Sequence, residues 1–184
     1  MNHHDMTRNM VLAALFAALT AIGAFLQIPT GTVPITLQFL FTALAGLLLG
    51  WKWGAISQLL YVGIGLLGLP VFTQGGGIGY VLQPSFGFLL GLIPAAAVIG
   101  ALTARRTGYL TVLAAVLVGD LILYAVGVPY MYLILHVYMQ SAKTFPALLA
   151  AMLVYVPGDT LKIVVVTALV PVLSRTLAKA VPNL

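Results

Sequence analysis

Apolar residues run along this chain in long blocks, broken by short clusters of proline, glycine and charge. The first block, opened by Arg8 and closed by Pro29, predicts a helix over 8–28. Its length exceeds the apolar stretch of a secretory signal and further blocks follow, so it reads as a retained helix. Pro29-Thr30-Gly31-Thr32-Val33-Pro34 holds too many breakers to be helical. Helices are expected next over 35–49 and 55–68, separated by a tight turn, Gly50-Trp51-Lys52-Trp53-Gly54, with aromatic anchors of the kind found at a membrane interface. Residues 71–84 contain Gly75, Gly76, Gly77 and Gly79, too much glycine to sustain a helix. Helices are expected over 85–104 and 109–127, the latter ended by Gly127-Val128-Pro129. Residues 130–156 hold His136, Gln140, Ser141, Lys143 and Pro146, and read as short helices lying at one membrane face. A last helix is expected over 159–177. No linker or internal repeat divides the chain, so residues 1–184 read as one domain.

Composition turns this pattern into a fold class. Of 184 residues 62% are apolar and only 6% charged, with a mean hydropathy of +1.14. Ordinary soluble domains carry about a quarter charged residues, so a water-soluble globule is excluded. A disordered chain needs the opposite balance. The net charge of +5 is scattered along the chain, unlike a nucleic-acid footprint. No cysteine is present, which removes thiolate chemistry. The expectation is an all-α membrane protein with six transmembrane helices and long outer loops over a pocket. Six crossings put Arg8, Lys52, Arg105, Arg106, Arg175 and Lys179 on one side and only Lys143 on the other. By the positive-inside rule both termini are then cytoplasmic. The breaker-rich segments 29–34, 70–84 and 127–158 all fall on the outer side. Irregular backbone at membrane depth needs protein or a cavity to cover it, which is the reason to expect a pocket there.

Ionisable groups inside a span are costly and mark function. Asp159 and Lys162 share one face at the start of the last helix. Asp159 suits the helix N-terminus; Lys162 gains nothing there and needs another anion. They read as a structural ion pair, as a ligand site in which Lys162 holds an anionic group and Asp159 receives N–H donors, or as a proton relay. The glycines at 75–77 read as a flexible loop or as backbone brought close to a ligand, with Tyr80 beside them. The run lacks the Lys-Ser/Thr ending of a phosphate-binding loop. Gln38, Thr42, Gln58 and Tyr124 are further polar positions within spans, read as interhelical bonding groups or pocket residues, while Asp120 reads as protonated, paired to Lys162 or facing the pocket. The histidines show no metal spacing. In the first helix, Ala14 and Ala18 belong to a strip of small residues that reads as internal packing or as a docking face.

The ordered set Val33-Pro34-Ile35-Thr36-Leu37-Gln38, Leu47-Leu48-Leu49-Gly50, Gly68-Leu69-Pro70-Val71-Phe72, Gly75-Gly76-Gly77-Ile78-Gly79-Tyr80, Pro84-Ser85-Phe86-Gly87-Phe88 and Pro157-Gly158-Asp159-Thr160-Leu161-Lys162 resembles the BioY family. These are the biotin-specific S-components of energy-coupling-factor (ECF) vitamin transporters. The resemblance spans almost the whole chain. It implies a prokaryotic cytoplasmic-membrane protein that binds biotin on its outer side and uses no cofactor. It also implies partners: a transmembrane coupling subunit and two ABC ATPases. Asp159, Lys162, Tyr80, Gly75, Gly76, Gly77, Gln38, Tyr124 and Asp120 become candidate substrate residues, and Ala14 and Ala18 candidate partner contacts. Some relatives carry Asn in the glycine run and Arg after the Pro-Ser motif. Gly75 and Leu89 stand there in this chain, which leaves Lys162 as the expected carboxylate anchor. No nucleophile–base pair or nucleotide motif is present, so an enzyme is not expected. The alternative function is a stand-alone, proton-coupled transporter of a vitamin-like anion.

The charge bias is open to a direct check. Single cysteines at Gln74 and Ser141 are expected to react with an impermeant thiol reagent in intact cells, and one at Lys52 is not. Outside labelling at Lys52 contradicts the six-crossing topology.

Overall fold

The computed structural model describes residues 3–30, 33–105 and 108–180. Gly31, Thr32 and Arg106, used above for the linker and the charge bias, lie outside the described residues. Six helices carry the fold: α1 (His3–Phe25), α2 (Gln38–Leu66), α3 (Phe86–Thr103), α4 (Tyr109–Leu133), α5 (Phe145–Met152) and α6 (Val156–Ala180). Four of them, α1 to α4, are long and apolar enough to cross a membrane. The α5–α6 pair, bent by 49°, makes a fifth candidate.

The two helices expected over 35–49 and 55–68 form a single α2, folded at Gly50. Gly50 has φ 75° and ψ 179°, a conformation open to glycine alone. One residue therefore does what the expected five-residue turn was to do. The arms on either side lie against each other. Thr42 Oγ1 is 2.9 Å from Gln58 Oε1, and Gln38 Nε2 donates to Tyr61 Oη at 2.6 Å. In a straight helix Thr42 and Gln58 would lie roughly 24 Å apart. Small residues permit the close approach: a Cβ on Gly54 would sit 2.8 Å from Gly46 Cα, and one on Gly46 would sit 2.5 Å from Ala96 O of α3.

Two other boundaries differ from the sequence expectation. The first helix starts at His3 and ends at Phe25, because Gln27–Ile28 leaves it to pair antiparallel with Ile35–Thr36 as β1 and β2. The expected break at Gly127-Val128-Pro129 is absent. Instead α4 runs through it to Leu133 and on into a π-helical turn, Ile134–Tyr138. Gly127 sits within α4 because Phe88 packs on it; a Cβ there would lie 2.4 Å from Phe88 Cδ1. Proline and glycine are tolerated in membrane helices when neighbours and local π adjustment satisfy the backbone. Within 71–84, which was expected to be wholly irregular, a 3₁₀ turn spans Ile78–Leu82.

The connections at one end of the bundle are tied together. Gln27 Nε2 reaches Thr73 O at 3.5 Å, and Tyr130 Oη donates to Val81 O at 2.5 Å. Tyr155 Oη donates to Val33 O. Buried apolar residues form two clusters. The larger joins α1 to α4 with Ile163 and Val166 of α6. The smaller joins Val33, Val128, Met131, Leu135, Leu148 and Met152, and makes a roof from the β1–β2 connection, the end of α4 and α5.

The close contact of α3 with the Gly50 bend yields a prediction. A Cβ on Gly100 would sit 2.3 Å from Trp51 N and 2.4 Å from Gly50 C. Backbone cannot yield as a side chain can, so Gly100→Val is expected to destabilise the protein by about 2 kcal/mol or more. Gly63, with nothing near its Cβ position, should accept alanine without loss. Thermal unfolding in detergent micelles compares the two.

Candidate functional site

Between the main cluster and the roof lies an open-mouthed cavity, about 630 Å³ with the space of its mouth included. Phe39, Leu89, Leu92 and Leu123 contribute apolar wall from the bundle. Val33, Met152 and Tyr155 contribute it from the roof. Polar side chains line it too: Thr36, Gln38, Tyr124, Asp159 and Lys162 are joined by hydrogen bonds and an ion pair, Thr73 is joined to Tyr80, and Ser85 also stands in the wall.

The charged pair comes from the first turns of α6. Asp159 is held there by its own N–H, which donates to Tyr155 O at 2.9 Å, and the helix N-terminus favours its negative charge. Lys162, three residues on, falls on the same face. Its Nζ lies 2.5 Å from Asp159 Oδ1, with side chains only 10% and 9% exposed. Tyr124 of α4 donates its hydroxyl to the other oxygen, Oδ2. Lys162 also donates to Thr36 O of β2 at 3.3 Å. Each carboxylate oxygen thus has one donor, and the ammonium has two acceptors. A carboxylate accepts about four hydrogen bonds and an ammonium donates three. Both residues line the cavity, so an acceptor and a donor remain side by side for a ligand.

Neighbouring bonds hold the wall in place. Gln38 Oε1 accepts from Thr36 Oγ1 at 2.9 Å, and Tyr61 Oη, which receives Gln38 Nε2, lies 3.1 Å from Val71 O. The amide of Gln38 is thereby oriented on both sides. Tyr80 Oη and Thr73 Oγ1 lie 2.9 Å apart. The Ser85 hydroxyl caps no backbone group of α3.

The sequence profile of the BioY family matches residues 1–179. This chain belongs to the BioY family. Its relatives include a biotin transporter BioY from Rhodobacter capsulatus, 41% identical over 188 residues and 97% of each chain. A probable biotin transporter BioY from Lysinibacillus sphaericus is 54% identical over 141 residues, 76% of this chain and 72% of that one. Among solved structures, the S-component for biotin from an ECF-type ABC transporter superposes with a TM-score of 0.83 and 29% identity. The match covers 95% of each chain.

Within this BioY fold the residues singled out from the sequence separate into three sets. Asp159, Lys162, Tyr124, Gln38 and Tyr80 line one cavity. Gly75, Gly76 and Gly77 lie outside its wall. They shape the connection instead: Gly75 and Gly77 take φ of 109° and 99°, and a Cβ on Gly76 would fall 2.1 Å from Leu69 O. Asp120 also lies outside the wall, half-buried on α4, with Oδ1 buried and without a hydrogen-bond partner among the described residues. On α1, Ala13 and Ala17 are buried in the bundle while Ala14 and Ala18 are exposed, so the alanine strip divides between two faces. Thr36, Tyr155, Met152 and Ser85 were not anticipated in the cavity. Ser85 and Thr36 stood within the quoted family motifs. Tyr155 and Met152 carried no signal, because they sit in a segment read as interfacial.

Proposed function

We propose that this protein captures biotin as the substrate-specific subunit of an ECF-type importer in a prokaryotic cytoplasmic membrane. The observation that carries this reading is the buried Asp159–Lys162 pair in a cavity whose other lining residues are uncharged. A ureido group sets N–H donors beside a C=O acceptor, the complement of one carboxylate oxygen and one ammonium N–H held side by side. The bicyclic body and aliphatic chain of biotin suit Phe39, Leu89, Leu92 and Leu123. The sequence suggested separate tasks for the two residues, with Lys162 on the carboxylate. Charged atoms 2.5 Å apart cannot serve two ends of a ligand separated by a ring and a chain. The pair therefore reads the ureido end together. The carboxylate is assigned to the Thr73, Tyr80 and Ser85 hydroxyls, with Leu89 standing where some relatives have Arg.

Six crossings fit the fold-back of α2. Its arms measure roughly 18 and 24 Å at 1.5 Å per residue, short of a hydrocarbon core of about 30 Å. The β1–β2 and 67–85 connections complete the depth, covered by protein as such backbone must be. On this reading both termini are cytoplasmic and the cavity faces outward. The energy for release comes from partner ATPases, docked through a coupling subunit on the α1 face that exposes Ala14 and Ala18.

Titration calorimetry with biotin and biotin amide tests the site. Charge-assisted contacts in a shielded site contribute about 1.5–3 kcal/mol, so Lys162→Met and Asp159→Asn are each expected to weaken both ligands by roughly ten- to a hundredfold. Failure of the wild-type protein to bind biotin ends the proposal. A loss by Lys162→Met for biotin but not for the amide returns Lys162 to the carboxylate end.

The docking face is tested separately. Ala14→Trp or Ala18→Trp is expected to abolish complex formation with the coupling subunit while biotin binding by the isolated subunit persists, because a close helix contact cannot absorb that volume. Loss of biotin binding as well assigns the strip to internal packing.

A further inference from the structure

Asp120 is the carboxylate that the site does not use. It lies one turn from Tyr124 on the same face of α4, and Tyr124 bonds Asp159 of α6. α6 begins at the end where α4 finishes and returns alongside it, so one turn deeper on α4 comes level with the turn of α6 that holds Lys162. Other elements packed against it supply nothing comparable. α3 has no ionisable side chain, and the charge on α2, Lys52, sits beside the Gly50 bend.

The three groups do not balance. Two carboxylates and one ammonium leave a net negative charge at membrane depth, where an uncompensated charge is expensive. Both oxygens of Asp159 already have donors, from Lys162 and Tyr124. Asp120 Oδ1 is buried with no partner among the described residues, and a buried ionised oxygen without a donor is costly.

We propose that the Asp120–Asp159–Lys162 cluster holds one proton, carried by Asp120, and that this proton sets the affinity for an anionic ligand. The inference rests on the biotin reading above. With the proton in place the cluster is neutral and an anion enters against no net charge. Loss of the proton adds a negative charge behind the Asp159–Lys162 pair, in surroundings of low dielectric, and opposes the anion. The sign follows: affinity falls as pH rises, and over the range where Asp120 ionises, binding takes up a proton.

The test is calorimetric titration with biotin from about pH 6 to about pH 9, for the wild type and Asp120→Asn. The wild-type Kd is expected to rise about tenfold across the range, with proton uptake revealed by buffers of different ionisation enthalpy. Asp120→Asn, which fixes the neutral form, is expected to show a flat Kd and no uptake. Equal pH dependence in the two proteins overturns the proposal. If Asp120→Asn does not fold, the wild-type measurement decides alone, and zero uptake overturns it. If the wild type binds no biotin, the function proposed above has failed, and infrared spectroscopy of the ligand-free protein tests the proton by itself. A C=O band of a protonated carboxylic acid is expected at the acid end and lost at the alkaline end. Its absence throughout overturns the proposal.

Discussion

One contact organises the site: Lys162 against Asp159 at 2.5 Å, inside a wall whose other residues are uncharged. Neither charge is tolerable there alone. Removing one partner of a buried pair costs about 3–5 kcal/mol because the other is left uncompensated. What makes the pair stable also makes it a junction. Tyr124 brings α4 to Asp159, and Thr36 brings β2 to Lys162. The first turns of α6, the neighbouring span and the roof segment meet at two side chains.

The same constraint governs the middle of the bundle, with a different solution. Thr20 of α1 approaches Gln58, which also meets Thr42 and Ser57. All four are buried and all are neutral, so they satisfy one another at little electrostatic cost. Interhelical bonds of this kind contribute modestly, about 0.6 kcal/mol on average. Their value here is in register: they fix α1 and the two arms of α2 relative to each other. Gln38 belongs to this network through its carbonyl, which accepts from Thr42 Oγ1, and to the cavity through its own position in the wall. The main cluster and the cavity are therefore continuous, and only the roof is attached by a separate set of bonds.

Much of this was legible in the sequence, for an identifiable reason. In a chain with so few polar residues each exception stands out, and Asp159, Lys162, Tyr124 and Gln38 were exceptions that do meet. Helix positions followed from the apolar blocks. The end of α4 did not, because rules for proline and glycine describe water, where a broken hydrogen bond finds solvent. Packing of Phe88 over Gly127 and a π turn beyond Pro129 satisfy the same residues within a helix. The two short strands were invisible, since two residues show no alternation. The glycine run looked like a ligand loop because glycine marks both close approach and positive φ. Here its close approach is to Leu69 and not to the cavity. Thr36 and Val33 enter the site through their carbonyls, groups that every residue has and no sequence pattern displays.

The attachment of the roof follows from that last point. Val33 O is held by Tyr155 and Thr30, and Thr36 O by Lys162. Val33 and β2 are thus fastened to Tyr155 and to Lys162 of α6 by side chains gripping backbone carbonyls, and the β1–β2 ladder among the described residues has two residue pairs. Lys162 is common to the fastening and to the charged pair. An ammonium has three N–H donors, and Asp159 and Thr36 take two. The third can meet a ligand acceptor without releasing either partner. On the proposed function, the charge would stay compensated as the site fills, and the roof would keep its hold on α6. A guanidinium in this place would spread its donors in a fixed plane, and a shorter cation would not span both partners. The flexible stem and compact head of lysine are what allow one residue to do both.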